Sequence, residues 1–165
     1  MADLLIRAAR FSDIDHCARL AGSKDRAEVR LQAVERGEES MLVAVLAGNV
    51  VGVESIRWRD GCDPPHPWLY GLSVGASARG RGIGRALVEA AEAMCVSSGA
   101  ESISLDVDVD DARALGFYAH LGYLVIRGHV HRWRSIDPRT RAVVATGHAS
   151  TWIMRRGLRL PPGRS

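Results

Sequence analysis

Hydrophobic and polar positions alternate strictly over residues 102–110, and this is the most regular pattern in the chain. A period of two is typical of a strand with one apolar face. Just before it, apolar residues recur at helical spacing from Gly82 to Ser97, and residues 68–74 form an apolar segment typical of a strand. A strand, a helix and a second strand in this order predict a parallel βαβ unit.

The segments on either side of this unit predict more strands. They are expected at residues 4–9, 41–46, 50–56, 123–136 and 142–154. The last two strands form a hairpin that turns at residues 137–140. Residues 60–67 are expected to form a loop, because three prolines interrupt strand pairing there.

Shorter helices are expected at residues 26–36 and 111–121, and Ser12 or Asp13 is expected to cap a further helix that contains Cys17. Together the elements predict an α/β (mixed α+β) protein with helices packed on one mixed sheet. The domain is expected to span residues 1–157, followed by a polar tail at 158–165.

Composition narrows the class of protein. The 165 residues are 47% hydrophobic and 25% charged, as in a soluble single-domain protein, and no segment is apolar for long enough to span a membrane. The N-terminus lacks the pattern of a signal peptide, so we expect a cytoplasmic location and no membrane partner. The three cysteines are scattered and predict no metal site. The net charge is +3, without basic runs interleaved with aromatic residues, so no nucleic-acid partner is expected.

A glycine-rich turn, Arg79-Gly80-Arg81-Gly82-Ile83-Gly84, joins the strand at 68–74 to the long helix. Its glycines let a phosphate approach the backbone, and the free N–H groups of a first helical turn attract anions. The turn lacks the Gly-Lys-Ser/Thr ending of a P-loop and the GxGxxG spacing of a dinucleotide fingerprint. The pattern therefore predicts a phosphate site for a different cofactor.

Two motifs resemble the GNAT N-acetyltransferase superfamily. Arg79, Gly82 and Gly84 match the family's Arg/Gln-x-x-Gly-x-Gly/Ala motif for acyl-CoA, and residues 111–123 are similar to its Asn-x-x-Ala-x-x-Phe-Tyr-x-x-x-Gly-Phe signature. The resemblance covers nearly the whole chain. It implies a GNAT-like, mostly antiparallel twisted sheet in which a central parallel strand pair, here residues 68–74 and 102–110, is splayed apart around the thioester.

The same resemblance implies acetyl-CoA as co-substrate, without a metal, and direct attack of a primary amine on the thioester. The backbone N–H of Leu72 or Val74 would face the pantetheine or the thioester oxygen, and Tyr118 would be the general acid near the sulfur. The residues expected to bind the cofactor are Leu72, Ser73, Val74, Arg79, Gly80, Arg81, Gly82, Ile83, Gly84, Arg85, Asp111, Ala114, Phe117 and Tyr118. Asp111 stands where the family often has Asn, which preserves a helix cap but not an amide donor.

The general base stays open at this point, because residues 68–74 lack the glutamate that many relatives carry there. Glu54 is one candidate, with a salt bridge to Arg57 or Arg59 as the alternative explanation for its place in an apolar strand. Asp106, which could instead bind the substrate amine, is another, with a solvated strand face as the alternative for it and for Asp108. The remaining candidates are His120, His66 and a water chain.

A small-molecule amine is favoured over a protein tail as the acceptor. The expected walls of its site are the first helices, the loop at 60–67 and the terminal hairpin. Three rival functions are a non-catalytic acyl-CoA-binding domain, a protein N-acetyltransferase and a nucleic-acid-binding module. A homodimer through the hairpin or another edge strand is also compatible with the sequence.

Overall fold

The computed structural model describes residues 3–59 and 67–159, and within them a mixed sheet carries the fold. Its strands follow the order β1-β2-β3-β4-β5-β7-β6 across the sheet. Every neighbouring pair is antiparallel except β4 and β5, which are parallel. The strands are β1 (Leu4–Ala8), β2 (Glu39–Leu46), β3 (Asn49–Arg57), β4 (Trp68–Val74), β5 (Ser102–Asp108), β6 (Leu124–Ile136) and β7 (Val143–Gly157).

The helices cover both faces of this sheet. They are α1 (Ile14–Ala21), α2 (Lys24–Glu35), α3 (Ile83–Ser97) and α4 (Ala112–His120). Helices α1 and α2 share a buried cluster with Met41, Val43 and Val53. Helix α3 packs on the opposite face, because alternate residues of a strand point to opposite sides. None of the described helices is long and apolar enough to cross a membrane.

The prediction that Ser12 or Asp13 caps the first helix is confirmed for the position of Asp13, which is the N-cap residue of α1, but its side chain makes no capping hydrogen bond to that helix. Asp13 forms an ion pair with Arg7 at 2.7 Å and accepts the main-chain N–H of Arg10 at 2.8 Å, so its carboxylate is occupied before α1 begins. Helix α1 instead continues from a 3₁₀ turn without a side-chain cap. Helix α2 starts two residues earlier than expected, because Ser23 caps it by accepting the N–H of Arg26 at 3.1 Å.

Strand β5 confirms the alternating pattern over most of its length. Ile103, Leu105 and Val107 are buried against α3. The strand ends at Asp108, two residues earlier than predicted, because the chain turns there: the N–H of Asp111 donates to the carbonyl of Asp108 at 3.0 Å. The turn leads directly into α4.

The parallel pair is open along most of its length, as the sequence predicted. Strands β4 and β5 share one registered pair, Trp68 with Ser104. Further along, β4 contains a bulge in which Gly71 and Leu72 lie opposite Glu54 of β3. Gly71 has φ +68°, a conformation that favours glycine. The bulge turns β4 away from β5 and leaves a gap in the middle of the sheet.

The expected α/β class with one mixed, mostly antiparallel sheet is therefore confirmed, including the terminal hairpin. Residues 60–66 of the predicted loop and residues 160–165 of the predicted tail lie outside the described residues. At the start of that tail, the N–H of Leu158 donates to the carbonyl of Glu101 at 2.8 Å. This bond continues the pairing of β7 with the beginning of β5.

Candidate active site

The glycine-rich turn lies at the start of α3, next to the gap. Gly80 and Gly82 have φ +74° and +75°, and a Cβ added at either would meet nothing within 4 Å. This leaves open space above the first turn of α3, where the N–H groups have no intrahelical acceptor. The turn thus has the geometry of an anion site.

The arginines of this turn differ in what they contact. The Nε of Arg79 donates to the carbonyl of Val74 at 3.1 Å, and the Nε of Arg85 donates to Glu89 at 2.7 Å. Arg81 is exposed and makes no hydrogen bond to any described residue. Arg81 is therefore the arginine of the turn most available to an incoming phosphate, while Arg79 also ties the turn to the end of β4.

Helix α4 stands beside the same turn. Asp111 accepts the N–H of Ala114 at 2.9 Å, which confirms the predicted cap. A Cβ added at Gly84 would lie 3.5 Å from the ring of Phe117 and 3.9 Å from Leu72. The start of α3, the middle of α4 and the bulged part of β4 therefore meet at one edge of the gap.

Tyr118 follows Phe117 on α4 and is held among aromatic rings. Its ring makes edge-on contacts with Phe117 and Tyr123, with centroids 4.9 and 5.6 Å away. Burial, and secondly the charge of Glu54, raise the pKa of Tyr118 well above its usual value. The phenol is therefore protonated throughout the physiological pH range, and its O–H group is available as a hydrogen-bond donor.

Glu54 is only 1% exposed, and neither of its carboxylate oxygens has a hydrogen-bond partner among the described residues. The predicted alternative, a salt bridge to Arg57 or Arg59, is absent from the described residues: Arg57 pairs with Glu39 at 3.3 Å instead. Burial raises the pKa of Glu54 to about 8, although the charge of Arg30 acts in the opposite direction. Glu54 alternates with Val53 along β3 and lies on the α3 side of the sheet.

Replacing Glu54 with glutamine should change how stability depends on pH. The folded protein binds the Glu54 proton more tightly than the unfolded chain, whose carboxyl has a pKa near 4.5. Wild-type stability should therefore fall as the pH rises towards 8, by at most about 1.4 kcal/mol per pH unit from this group. Glu54→Gln keeps the shape of the neutral acid and should lose that slope. Urea unfolding at pH 5.5, 6.5 and 7.5 measures it, and equal slopes in both proteins would contradict a neutral buried Glu54.

Asp106 lies on the other face of β5, pointing away from α3, and there it meets a histidine that sequence reasoning missed. Its Oδ2 is 3.3 Å from Nδ1 of His131 on β6. The side chain of Asp106 is 12% exposed and that of His131 is 33% exposed. The predicted alternative of a solvated face fits Asp108, which is exposed, but not Asp106.

A second unpredicted feature on this face is Arg30 of α2, which is buried at 7% exposure. Its Nε and Nη2 donate to the hydroxyl of Ser55 at 2.8 and 2.6 Å, and Nη2 is 3.5 Å from the carbonyl of Gly71. Its guanidinium also lies 4.9 Å from the ring centroid of Tyr70. Arg30 therefore reaches the bulge of β4 from the face opposite to α3.

The structure does not place the two remaining candidate bases, His120 and His66, near the gap. His120 is exposed at the end of α4, and His66 lies outside the described residues. Within residues 3–59 and 67–159, no three His, Cys, Asp or Glu side chains are arranged to hold a metal ion. Tyr118 and Glu54 therefore lie on the α3 side of the sheet, and Asp106, His131 and Arg30 lie on the other side.

Comparison with known proteins agrees with this architecture. Residues 7–123 match the Acetyltransferase (GNAT) family, and the chain belongs to that family. Mycothiol acetyltransferases of Jonesia denitrificans and Beutenbergia cavernae are each 36% identical to it, over 63 and 61 residues. Those alignments cover 38% and 37% of this chain and 20% of each relative, so the chain matches about a fifth of their length.

Solved structures share the whole fold. The yncA protein of Salmonella typhimurium, solved with acetyl-CoA, has a TM-score of 0.72 and 14% identity, over 99% of this chain and 98% of its own. The ribosomal-protein-S18-alanine N-acetyltransferase of Escherichia coli has a TM-score of 0.70 and 16% identity, over 96% of both chains. At such identities the similarity is one of fold.

Proposed function

We propose that this chain transfers the acetyl group of acetyl-CoA to a primary amine of a small molecule by direct attack in a ternary complex. The observation that carries the proposal is the gap between β4 and β5, which has an anion-binding turn at one edge and polar groups on both faces. Tyr118 lies on the α3 side of the sheet, and Asp106 with its partner His131 lies on the opposite side. A thioester in the gap would therefore meet a hydrogen-bond donor on one side and a proton acceptor on the other.

The turn at residues 79–84 fits the pyrophosphate of the cofactor. Open space at Gly80 and Gly82 lets phosphate oxygens approach the N–H groups of α3, and Arg81 is available as a counter-ion. Acetyl-CoA supplies the activated acyl group. The remaining cofactor contacts that the sequence predicts, at Leu72, Ser73, Val74, Ile83 and Ala114, are part of this proposal.

Replacing Gly82 with alanine should weaken acetyl-CoA binding selectively. Gly82 has a positive φ, and a Cβ there would have no neighbour within 4 Å; Gly99, at the far end of α3, shares both properties. Either alanine should cost about 1 kcal/mol of stability, because both positions disfavour a side chain. Only the methyl group at position 82 would project into the phosphate site and raise the KM for acetyl-CoA, by about tenfold or more. Steady-state kinetics compare Gly82→Ala with Gly99→Ala, and equal KM values would refute the location of the site.

The proton of the substrate ammonium must leave before the nitrogen attacks, because an alkyl ammonium has a pKa of about 10. In the proposed mechanism, His131 accepts this proton at Nε2. The Asp106 carboxylate, with Oδ2 3.3 Å from Nδ1 of the same ring, favours the tautomer that carries its proton on Nδ1 and leaves Nε2 free. The side of the sheet opposite to α3 and α4 is the open one for an amine when the cofactor lies against those helices.

The carbon–sulfur bond breaks as the carbon–nitrogen bond forms, and the sulfur leaves as a thiolate. The second proton that the attacking nitrogen must lose as it becomes an amide passes to water. Tyr118 donates a hydrogen bond to the thiolate. Its raised pKa makes complete proton transfer to a thiolate unfavourable, since the conjugate thiol has a pKa of about 8.5. We therefore propose that Tyr118, predicted from the sequence as the general acid, donates a hydrogen bond to the sulfur without giving up its proton. The thiolate then takes its proton from water.

Glu54 is the weaker candidate for the base. It is almost fully buried on the α3 side, and a carboxyl with a pKa of about 8 is mostly protonated at pH 7. When Glu54 ionises at higher pH, its charge adds to the effect of burial in keeping Tyr118 protonated. The Asp106 carboxylate and His131 are partly exposed and on the proposed acceptor side, and this favours them as the proton acceptor.

A small acceptor is supported by contacts that bridge its proposed side of the sheet. Gln32 of α2 donates to the carbonyl of Pro138 at 3.3 Å, and Arg141 donates to Gln32 at 3.4 Å. These bonds join the tip of the β6–β7 hairpin to α2. A bridged site suits a small amine better than an extended protein tail.

A screen of primary amines for CoA release, read by thiol detection, tests the proposed function. We expect acetyl-CoA to raise the melting temperature, and at least one small amine to increase CoA release above slow hydrolysis. Stabilisation without any amine-dependent release would favour a non-catalytic acyl-CoA-binding domain. Release only with peptides would favour a protein N-acetyltransferase.

We further propose that the chain forms a homodimer through β6. This strand is at an edge of the sheet, where main-chain groups are unpaired. Its exposed large apolar side chains are Leu124, Val125, Ile126, Val130 and Trp133. Sedimentation at two protein concentrations should give a dimer, and a monomer at both would contradict this.

A further inference from the structure

Arg30 is a buried cation without an anionic partner. No carboxylate of the described residues lies within 4 Å of its guanidinium, whose hydrogen bonds go to the Ser55 hydroxyl and the Gly71 carbonyl. Burying a charge is costly unless an opposite charge or a full set of hydrogen bonds compensates it. A ligand with a negative charge would supply that compensation.

The acids nearest to Arg30 do not provide it. Glu39 accepts the hydroxyl of Tyr70 at 2.5 Å and pairs with Arg57 at 3.3 Å. Glu54 lies across β3, forms no hydrogen bond and, with a pKa of about 8, is mostly neutral at pH 7. The carboxylate of Asp106 is paired with His131.

The unpaired edge of the guanidinium lies beside Gly71, in the bulge of β4. Nη1 donates to none of the described residues, and it lies 3.0 Å from the position that a Cβ of residue 71 would occupy. Gly71 itself is exposed, so no side chain separates this nitrogen from the surface of the bulge. Any other residue at position 71 would collide with Nη2, at 2.6 Å.

We infer that Arg30 binds the carboxylate of the acceptor, so that the substrate class is a primary amine bearing a carboxylate, such as an α-amino acid. This inference rests on the proposed function and adds the substrate class to it. Arg30 holds the carboxylate beside Gly71, where β4 diverges from β5. The amine of the same molecule, one carbon away, is then directed into the gap between Tyr118 and His131.

The Arg30 site explains two local features together. Glycine at position 71 both forms the bulge and leaves Nη1 uncovered. The hydroxyl of Ser55 holds two nitrogens of the guanidinium on one side, which directs the remaining N–H groups outward. A guanidinium fixed in this way loses little of the entropy that a flexible cation would lose on binding a carboxylate.

The test compares matched acceptors that differ only in the carboxylate. L-Alanine, L-methionine, L-phenylalanine and L-glutamate are each assayed beside their primary carboxamides, by CoA release with saturating acetyl-CoA. The amine of an amide loses its proton more easily than that of the acid, so reactivity alone favours the amide. For at least one pair, wild-type kcat/KM should be about tenfold or more higher with the acid, the effect of a charge-assisted hydrogen bond.

Arg30→Gln should reduce this acid-to-amide ratio to near one. Arg30→Lys should give an intermediate ratio, because lysine keeps the positive charge but lacks the paired N–H donors of the guanidinium. Arg26→Gln, an exposed position one turn earlier on α2, is the matched control and should keep the wild-type ratio. The ratio does not depend on how much protein is folded, so a merely structural role of Arg30 would lower both rates and leave it unchanged.

A wild-type ratio near one, or an unchanged ratio in Arg30→Gln, would overturn the inference while leaving the acetyltransferase proposal intact. If neither acids, amides nor simple amines released CoA, the proposed function would fail and the inference with it. The two failures are therefore distinguishable.

Discussion

Replacing His131 with glutamine should lower kcat by about 100- to 1,000-fold at pH 7, with little change in the KM for acetyl-CoA. Glutamine fills a similar volume but cannot accept a proton, so the ammonium of the acceptor would have to lose its proton to water. The deficit should narrow as the pH rises, because more of the amine is then already deprotonated. Initial rates of CoA release between pH 6.5 and 9.5 measure both effects.

His129 provides the matched control for this prediction. It lies two residues earlier on β6, on the same face and at similar exposure, but without a carboxylate partner among the described residues. His129→Gln should therefore retain activity within about threefold. The kcat of Asp106→Asn should lie between those of His131→Gln and His129→Gln, because this change removes the group that orients His131 but leaves the imidazole. A larger loss in Glu54→Gln than in His131→Gln would transfer the role of base to Glu54.

Tyr118→Phe should reduce kcat by about 10- to 100-fold, the loss expected when one hydrogen-bond donor to a developing negative charge is removed. The KM for acetyl-CoA should stay near the wild-type value, because the ring keeps its edge contacts with Phe117 and Tyr123. Since burial raises the pKa of Tyr118 above its usual value of about 10, the wild-type rate should show no decline from its ionisation at any pH below about 10.

Tyr123→Phe separates this effect from general damage to the aromatic cluster. The hydroxyl of Tyr123 donates to Glu92 at 2.9 Å, away from the gap, and Glu92 also pairs with Arg156 at 2.8 Å. Loss of that hydroxyl should cost about 1 kcal/mol of stability and leave kcat unchanged. Equal kcat values for Tyr118→Phe and wild type would show that Tyr118 only packs the core.

The cofactor side of the gap was predictable because it is local in sequence. The residues of the proposed anion site follow one another from Arg79 to Gly84, and the cap of α4 links Asp111 to Ala114 only three residues away. Helical periodicity and the spacing of glycines record such short-range arrangements directly. The sequence therefore predicts the glycine turn and the Asp111 cap, both of which the structure contains, while the roles of the turn and of Tyr118 stay predictions.

The acceptor side was not predictable, because its contacts depend on the register of strands that are far apart in the chain. Asp106 meets His131 only because β7 pairs with both β5 and β6. Arg30 and Ser55 are 25 residues apart and belong to a helix and a strand that pack face to face. Nothing in the polar pattern of α2 distinguishes Arg30 from its exposed arginine neighbours.

The strand at 68–74 contained one sequence signal of the proposed acceptor side. A glycine inside a strand often marks a bulge or a close approach of other atoms, and Gly71 has both. Attention to Gly71 would have predicted where β4 leaves β5, though not which side chain lies against it. The buried state of Glu54 was likewise beyond the sequence, which suggested an ion pair that the structure assigns to Glu39 instead.

The central claim is direct transfer from acetyl-CoA to an amine, without an acyl-enzyme. Cys62 lies outside the described residues. Cys17 and Cys95 are both fully buried, and burial raises the pKa of Cys95 to about 12, so neither of these two is a suitable nucleophile. The most direct test measures initial rates of CoA release while acetyl-CoA and an active amine are both varied, with the acetylated amine identified by mass spectrometry. Direct transfer predicts intersecting double-reciprocal lines and one acetylated amine for each CoA released. Parallel lines, or CoA release that does not depend on the amine, would contradict it.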